Sequence, residues 1–406
     1  MFVNAKLEPM DCAKCPICEN NRCIKYGTTI KRIKEKLFLD YKTLVLLTVQ
    51  KYKCKECGSV FNDSTDIIQK NKTISTHLKL AIIEELRTPI SLTNIGKRYN
   101  LSAQEVYNIF VNHVQIERHQ MPEVLCIDEF KNLRTEDGKY AVVLYDPMNH
   151  KIIDIIDNRR LNNLDDYFIH INFKELDKVK YLITDMYEGY RSVKKRYFKN
   201  ATHIVDGFHV SRYITDALNK VRIRVMNSYD RKTQEYKILK KYWATFLKRL
   251  SDVKSFEVYN PIQKKRTSSS DIIKDALEIN KELYDAFMLK EEYFLMEDII
   301  HLENSKNKIK EFTKTLSEST LEEFRVLAGM FDNWYTEICN SYIRFGDKRL
   351  NNAYAEGINN KIKSIKKISY GCRSFYYLRN RVMFIVNDKE PIKDVDPATI
   401  PRKERK

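Results

Sequence analysis

Along the chain, apolar and polar positions alternate, then recur with helical spacing, then alternate again. The stretch TLVLLTVQKYKC, 43–54, is rich in β-branched and apolar residues and reads as strand. Between about 70 and 118 the pattern is helical, with apolar positions at Leu92, Ile95 and Tyr99, a break at Asn100 and Leu101, and a second set at Val106, Ile109 and Phe110. Ser102 with Glu105 three residues later forms a capping box, which starts a new helix over roughly 103–113. From 121 the period returns to two. EVLCIDEFKN, RTEDGKYAVVLYD and KIIDIID predict three antiparallel strands, the first two joined by a hairpin turn at Asp137-Gly138.

A helical stretch, LNNLDDYFIHI, then precedes the strand KVKYLITDMY, a helix over about 188–198, and the strand ATHIVDGFHV. Three strands, helix, strand, helix, strand is the order of a ribonuclease H-like core, a mixed sheet with helices on its faces. Residues 212–350 read as helical throughout, with no strand alternation, and NPIQKKRTSSSD, 260–271, is the best loop candidate within them. LNNAYAEGINNKIKSIKKISYGCRSFYYLRNRVMFIV predicts two helices separated at Tyr370-Gly371. The expected fold class is therefore multidomain α+β. Its parts are a zinc ribbon over 1–65, a helix-turn-helix over 66–118, a ribonuclease H-like α/β catalytic core over 119–211 and 351–390 interrupted by an all-helical insertion over 212–350, and a disordered tail over 391–406.

Length fits this division, because 406 residues exceed one ordinary core. No apolar run approaches a membrane span and the N-terminus lacks a signal-peptide core, so a soluble cytoplasmic, nucleoid-associated protein with no membrane partner is expected. Lys and Arg number 72 against 55 Asp and Glu, a net charge of +17. That field favours a polyanion, of which nucleic acid is the commonest large one.

Cysteine usage adds a metal. Nine cysteines crowd toward the first 57 residues, and Cys15-Pro-Ile-Cys18 and Cys54-Lys-Glu-Cys57 form two CxxC knuckles able to share one tetrahedral zinc. Four thiolates leave no open position, so the single Zn2+ is structural; Cys12 and Cys23 are substitute ligands.

Carboxylates add a second site. Asp128 and Asp185 each end an apolar strand, and in the expected topology those strands are neighbours. Two carboxylates at one edge repel unless a divalent cation lies between them, and hard oxygen donors suit Mg2+ or Mn2+. A second ion held by one further carboxylate would complete a two-metal phosphoryl-transfer site. Either aspartate alone also reads as a turn cap. Glu356 shares a helical face with Asn360, Lys363 and Lys367, and on pattern alone reads first as a solvated glutamate in a first helical turn. Glu129 and Asp206 are spare carboxylates, and His209 reads as a neighbour of the site or as a satisfied buried imidazole.

Together the CxxC ribbon, the paired helices, IDEF, LITDMYEGY, DGFHV and EGINNKIKSIKK...YGCRSF resemble, in order from about 12 to 385, the ISL-three family of bacterial insertion-sequence transposases. The resemblance implies a DDE recombinase with Asp128, Asp185 and Glu356 as catalytic and metal-binding residues, two Mg2+ or Mn2+ ions, and Asp206 and His209 in support. Cys372 departs from the family's usual aromatic after the late glycine. The implied partners are double-stranded DNA, both terminal inverted repeats and target, and further copies of the chain in a dimer or larger assembly on DNA. Ser102 and Gln104 at the start of the second helix are placed at the bases, and Lys361, Lys363, Lys366 and Lys367 at phosphates. The rivals are a DNA-binding regulator with an inactive core and a ribonuclease H-like nuclease that does not join strands.

Overall fold

The computed structural model describes residues 1–10, 13–63, 65, 67–68, 72–133, 138–346, 348–350, 353–369 and 374–387. It is a mixed α and β structure that divides into two compact units, 1–118 with 133–136 and 359–406, and 119–132 with 137–358. Cys12, Asp137, the Tyr370-Gly371 break, Cys372 and the tail lie outside the described residues. Among those described, no helix is long and apolar enough to cross a membrane.

The first unit begins with β1 (Phe2–Lys6), β2 (Cys23–Phe38), β3 (Tyr41–Cys54) and β4 (Val60–Asn62). β2 and β3 form a long antiparallel hairpin, β1 runs parallel to β3, and β4 returns along the start of the cysteine end of β3. Leu39 and Asp40 close the hairpin with positive φ at both positions, the turn whose twist matches two antiparallel strands. Helices α1 (Thr76–Glu85), α2 (Leu92–Tyr99) and α3 (Ala103–His113) follow. Ser75, Ser91 and Ser102 cap them in turn, and Ser102 with Glu105 completes the reciprocal capping box. Between α2 and α3, Asn100 is left-handed at φ 56° and the Leu101 amide donates to the Gly96 carbonyl at 2.8 Å. A Cβ on Gly96 would lie 2.5 Å from the Leu101 oxygen, so the tight turn needs glycine there.

The last described helix, α16 (Phe375–Val386; α15 is defined below), belongs to this same unit. Its Tyr377 and Phe384 pack edge-on to Phe110 of α3 at 5.3 and 5.8 Å. Asn380 accepts from the Ile116 amide and donates to the Val114 carbonyl. Arg381, 1% exposed, donates to the carbonyls of Leu86, Thr88 and Ile90. These carbonyls follow α1, where helix termination leaves acceptors without intrahelical donors. Burial lowers the Arg381 pKa to about 10, so the guanidinium stays charged at neutral pH.

The second unit holds β5 (Val124–Lys131), β6 (Tyr140–Asp146), β7 (Lys151–Ile156), β8 (Tyr181–Thr184) and β9 (Thr202–Val205). The sheet order is β7-β6-β5-β8-β9, antiparallel among the first three and parallel from β5 to β9. Helices α4 (Leu161–Phe168), α5 (Phe173–Leu176) and α6 (Glu188–Tyr197) supply the connections; Leu125, Ile127 and Leu182 share one core with Leu164, Phe168, Tyr190 and Val193. Helix α7 (Gly207–Asn227) opens a helical layer with α8 (Gln234–Lys241), α9 (Trp243–Phe246), α10 (Ser269–Leu277), α11 (Lys281–Ile299), α12 (Leu302–Glu318), α13 (Glu322–Asn333) and α14 (Tyr335–Asn340). Its core is aromatic, with Tyr293, Phe312 and Phe331 in mutual ring contact. α15 (Ala353–Ile368) follows, and the division between the units falls within it.

Two hairpins correct the all-helical expectation for 212–350. β10 (Val258–Asn260) pairs with β11 (Lys265–Thr267), and β12 (Arg344–Phe345) with β13 (Lys348–Arg349). The expected loop at 260–271 is thus a hairpin turn, a strand and the start of α10, capped by Ser268 with Asp271. Strands of two or three residues are too short to display a period of two.

Removing the Arg381 side chain leaves the buried Leu86 carbonyl and the part-buried carbonyls of Thr88 and Ile90 without their donor, and a buried acceptor left unpaired costs about 1–3 kcal/mol. We expect Arg381→Ala to cost about 3 kcal/mol in that unit. Hydrogen exchange of the α1 and α3 amides should then speed up roughly a hundredfold, whereas β5 and β6 amides keep their protection.

Candidate functional site

Apolar residues followed by aspartate recur three times in the second unit, as VLCID, YLITD and HIVD. Asp185 and Asp206 directly follow β8 and β9, whereas Asp128 does not end its strand as expected: β5 continues to Lys131 because its far side still pairs with β6 there. Pairing brings them level. Cys126 stands opposite Ile183, so the same register carried two residues on sets Asp128 beside Asp185. Thr184 stands opposite Val205, which sets Asp185 beside Asp206. Directly opposed residues of neighbouring strands share a face, so the three carboxylates rise on one side of the sheet.

Their electrostatics reflect this crowding. Asp128 is 9% exposed, and burial holds its carboxyl above the usual range although the Glu129 amide donates to it at 2.7 Å. Asp185 is pushed up to about 6, first by burial and then by repulsion from Glu129, with Asp128 adding to it; His209 and the Tyr187 amide act the other way. Asp206, 3% exposed, caps α7 by accepting from the Phe208 amide at 3.3 Å. His209, in the first turn of α7, stands with Nε2 3.8 Å from Asp206 and favours the charged forms of Asp128 and Asp185.

Glu129 is held in an ion pair. Both its oxygens meet Arg159, at 3.0 and 2.7 Å, and the Tyr190 hydroxyl donates to it at 2.9 Å. Of the two spare carboxylates, Asp206 repels Asp128, and Glu129 still repels Asp185 more than Asp128 does. Nothing in the sequence pattern marks Arg159 or Tyr190 as its partners, because they come from the loop after β7 and from α6.

Glu356 lies in the first turn of α15, and its side chain is outside the described residues. Further along α15, Lys361, Lys363 and Lys367 are exposed and Lys366 is half-buried. At the start of α3 the Ser102 hydroxyl is taken up by the capping box, accepting from the Glu105 amide at 3.1 Å and donating to its carboxylate at 3.0 Å. Gln104 is exposed beside it.

Among the described residues, Cys15, Cys18, Cys54 and Cys57 are the group able to hold a metal ion, their sulfurs all within 4.8 Å of one another. Two equivalent turns build it. The Glu19 amide donates to the Cys15 carbonyl and the Gly58 amide to that of Cys54, and Glu19 and Gly58 are both left-handed. Cys15 and Cys57 stand 3.6 Å apart and Cys18 and Cys54 3.5 Å apart. A tetrahedral zinc with Zn–S of about 2.3 Å requires sulfurs about 3.8 Å apart, so the donor set fits it. Hydrogen bonds from the Cys18 backbone and the Ser59 hydroxyl lower the Cys15 thiol to about 6, easing the thiolate form that binds metal. Cys23 faces Cys54 across the hairpin but stands outside the four-sulfur group.

A family model for ISL3 transposases matches residues 125–382, from β5 into α16. A relative from Bordetella parapertussis, the transposase for insertion sequence element IS1001, is 19% identical over 382 residues, covering 92% of this chain and 89% of the relative.

Two outcomes follow from these geometries. Metal analysis of the purified chain should give one zinc, unchanged in Cys23→Ser and lost in Cys54→Ser. The loss should also reduce strand content by circular dichroism, since a structural zinc contributes roughly 10 kcal/mol or more to its fold. For Asp185, a folded pKa near 6 lies above the ordinary value of 3.8, so folding takes up a proton between them. Without divalent ions, the contribution of Asp185 to stability should be fully present below about pH 4 and lost as pH rises through about 6. Thermal melts in chelator should therefore show the melting temperature of Asp185→Asn gaining on that of the parent as pH rises through that range.

Proposed function

The chain belongs to the ISL3 family of transposases, and from that membership we propose that it cuts DNA at the ends of an insertion sequence and joins the freed 3′ hydroxyls to target DNA. The observation that carries the reading is the levelling of Asp128 and Asp185 on neighbouring parallel strands, with both carboxyls raised by burial and by nearby carboxylates. That strand and helix order supports a ribonuclease H-like core.

In this reading Asp128, Asp185 and Glu356 are the DDE triad, and their hard oxygen donors suit Mg2+ or Mn2+. Divalent ions bound there would polarise the scissile phosphodiester and lower the pKa of the attacking hydroxyl, so that an in-line displacement proceeds without a covalent protein intermediate. The chain's own residues set the frame. Sheet hydrogen bonds fix the aspartates at one level, Asp206 holds the start of α7, and His209 there adds a polar neighbour to the carboxylates. Arg159 and Tyr190 hold the Glu129 carboxylate in an ion pair and a hydrogen bond.

DNA recognition falls to the first unit. The capped pair α2 and α3 is read as a helix-turn-helix with α3 in the major groove, where Gln104 meets bases and Ser102 fixes the helix start. The four-cysteine ribbon, with its structural zinc, is a second contact to the terminal repeats. Lys361, Lys363, Lys366 and Lys367 hold phosphates, a role that needs charge and carries no sequence information. Because two ends must be paired before joining, the active form is a dimer or larger on DNA, within the cytoplasm where the nucleoid lies.

The decisive assay incubates the protein with a supercoiled plasmid carrying the element's two ends in Mg2+. Cleavage at the element boundary by the parent, and none by Asp185→Asn although it still binds the ends, is the expected result. Binding without cleavage by both, in Mg2+ or Mn2+, would replace this reading with a DNA-binding regulator; equal cleavage by both would remove Asp185 from the metal site.

A further inference from the structure

The exposed face of α3 carries an unusual kind of residue for a strongly basic chain. Val106, Ile109, Phe110 and Val111 are buried, Tyr107 packs at a tilt against Tyr377, and Ala103, Gln104 and Asn108 are exposed. Gln104 and Asn108 are neutral amides one helical turn apart, about 6 Å along the axis. They are hydrogen-bonded to each other: Gln104 Nε2 donates to Asn108 Oδ1 at 2.9 Å.

We propose that these two side chains form one adenine-reading unit, with Gln104 as the base contact and Asn108 as the residue that positions its amide. The inference rests on the reading of α3 as a major-groove helix. Bound to Asn108, the Gln104 amide plane has lost much of its rotational freedom before any DNA arrives. It still offers Oε1 as acceptor and its second Nε2 hydrogen as donor. Adenine presents the complementary pair in the major groove, the N6 amino group as donor and N7 as acceptor, and a Gln amide meets both at once. Guanine presents two acceptors there, which would leave Oε1 facing an acceptor.

Position agrees with this role. A recognition helix reads bases with its N-terminal residues, and Gln104 is the second residue of α3 whereas Asn108 lies a turn deeper. Phosphate binding would call for charge, which neither side chain has. An ordinary solvated amide pair, worth a few tenths of a kcal/mol to the helix, predicts no effect on sequence choice.

The test is selection of bound duplexes from a random-sequence library by the full chain, at moderate salt and without Mg2+ so that nothing is cut. The expected motif contains an adenine preferred roughly tenfold to a hundredfold, a preference lost in Gln104→Ala while affinity for unselected DNA is kept. Gln104→Arg should move that position to guanine. Asn108→Ala should keep adenine but weaken the preference several-fold, and Asn108→Gln, which restores an amide oxygen, should recover part of it. Zinc content and circular dichroism of all variants should match the parent, because both side chains are exposed. A parent motif that Gln104→Ala leaves unchanged, or changes only at guanine, overturns the inference and leaves α3 as a DNA-binding helix. Enrichment of no motif by the parent overturns both.

Discussion

Three carboxylates at one level on one face of a sheet are an electrostatic burden that the second unit must carry. Parallel pairing from β5 through β8 to β9 leaves no freedom to relieve it, since the backbone ladder fixes where each aspartate starts. Neighbouring features bear on the same charge. Asp206 spends its carboxylate on the start of α7, where the helix N-terminus presents positive dipole and free amides. His209 sits in the first turn of that helix, and Glu129 is paired with Arg159 and accepts from the Tyr190 hydroxyl. What remains on Asp128 and Asp185 is a demand for positive charge that burial has made stronger than it would be at a surface.

The first unit obeys a different economy. Its β-hairpin has a small core of Ile33, Leu47, Val49 and Ile68, and its four converging sulfurs stand where a bound metal ion would cross-link a unit in which apolar area is scarce. Helices α1 to α3 are short and individually marginal, each started by a serine cap, and they gain permanence by packing on α16. Arg381 replaces water at the end of α1, and the rings of Tyr377 and Phe384 cover Phe110.

Local patterns were legible where chemistry and period coincide. The apolar run ending in aspartate occurs three times, and the strand pairing sets those three ends level. The Ser102 to Glu105 spacing placed the start of α3, and the CxxC pairs named the four sulfurs that converge. Long-range partnerships were not legible. Arg381 meets carbonyls almost three hundred positions earlier, and no period reports such a contact. The Arg159 pairing with a spare carboxylate, Glu129, joins residues thirty positions apart, and no local pattern marks it. The hairpin of β10 and β11 was missed because three-residue strands look like any loop. For Glu356 the helix was legible, and the direction of the carboxylate is a property that helical period alone does not set.

The placement of α16 has a consequence for protein synthesis. Helices α1 to α3 emerge from the ribosome early, but the residues that close their core, Tyr377 to Phe384, are made close to 300 residues later. During that interval the three helices exist with Phe110 uncovered and the carbonyls after α1 unserved. A gene copy cut short by a stop codon before α16 would therefore yield a chain with its four clustered cysteines and the serine caps of α1 to α3, yet without the packing that holds those helices together.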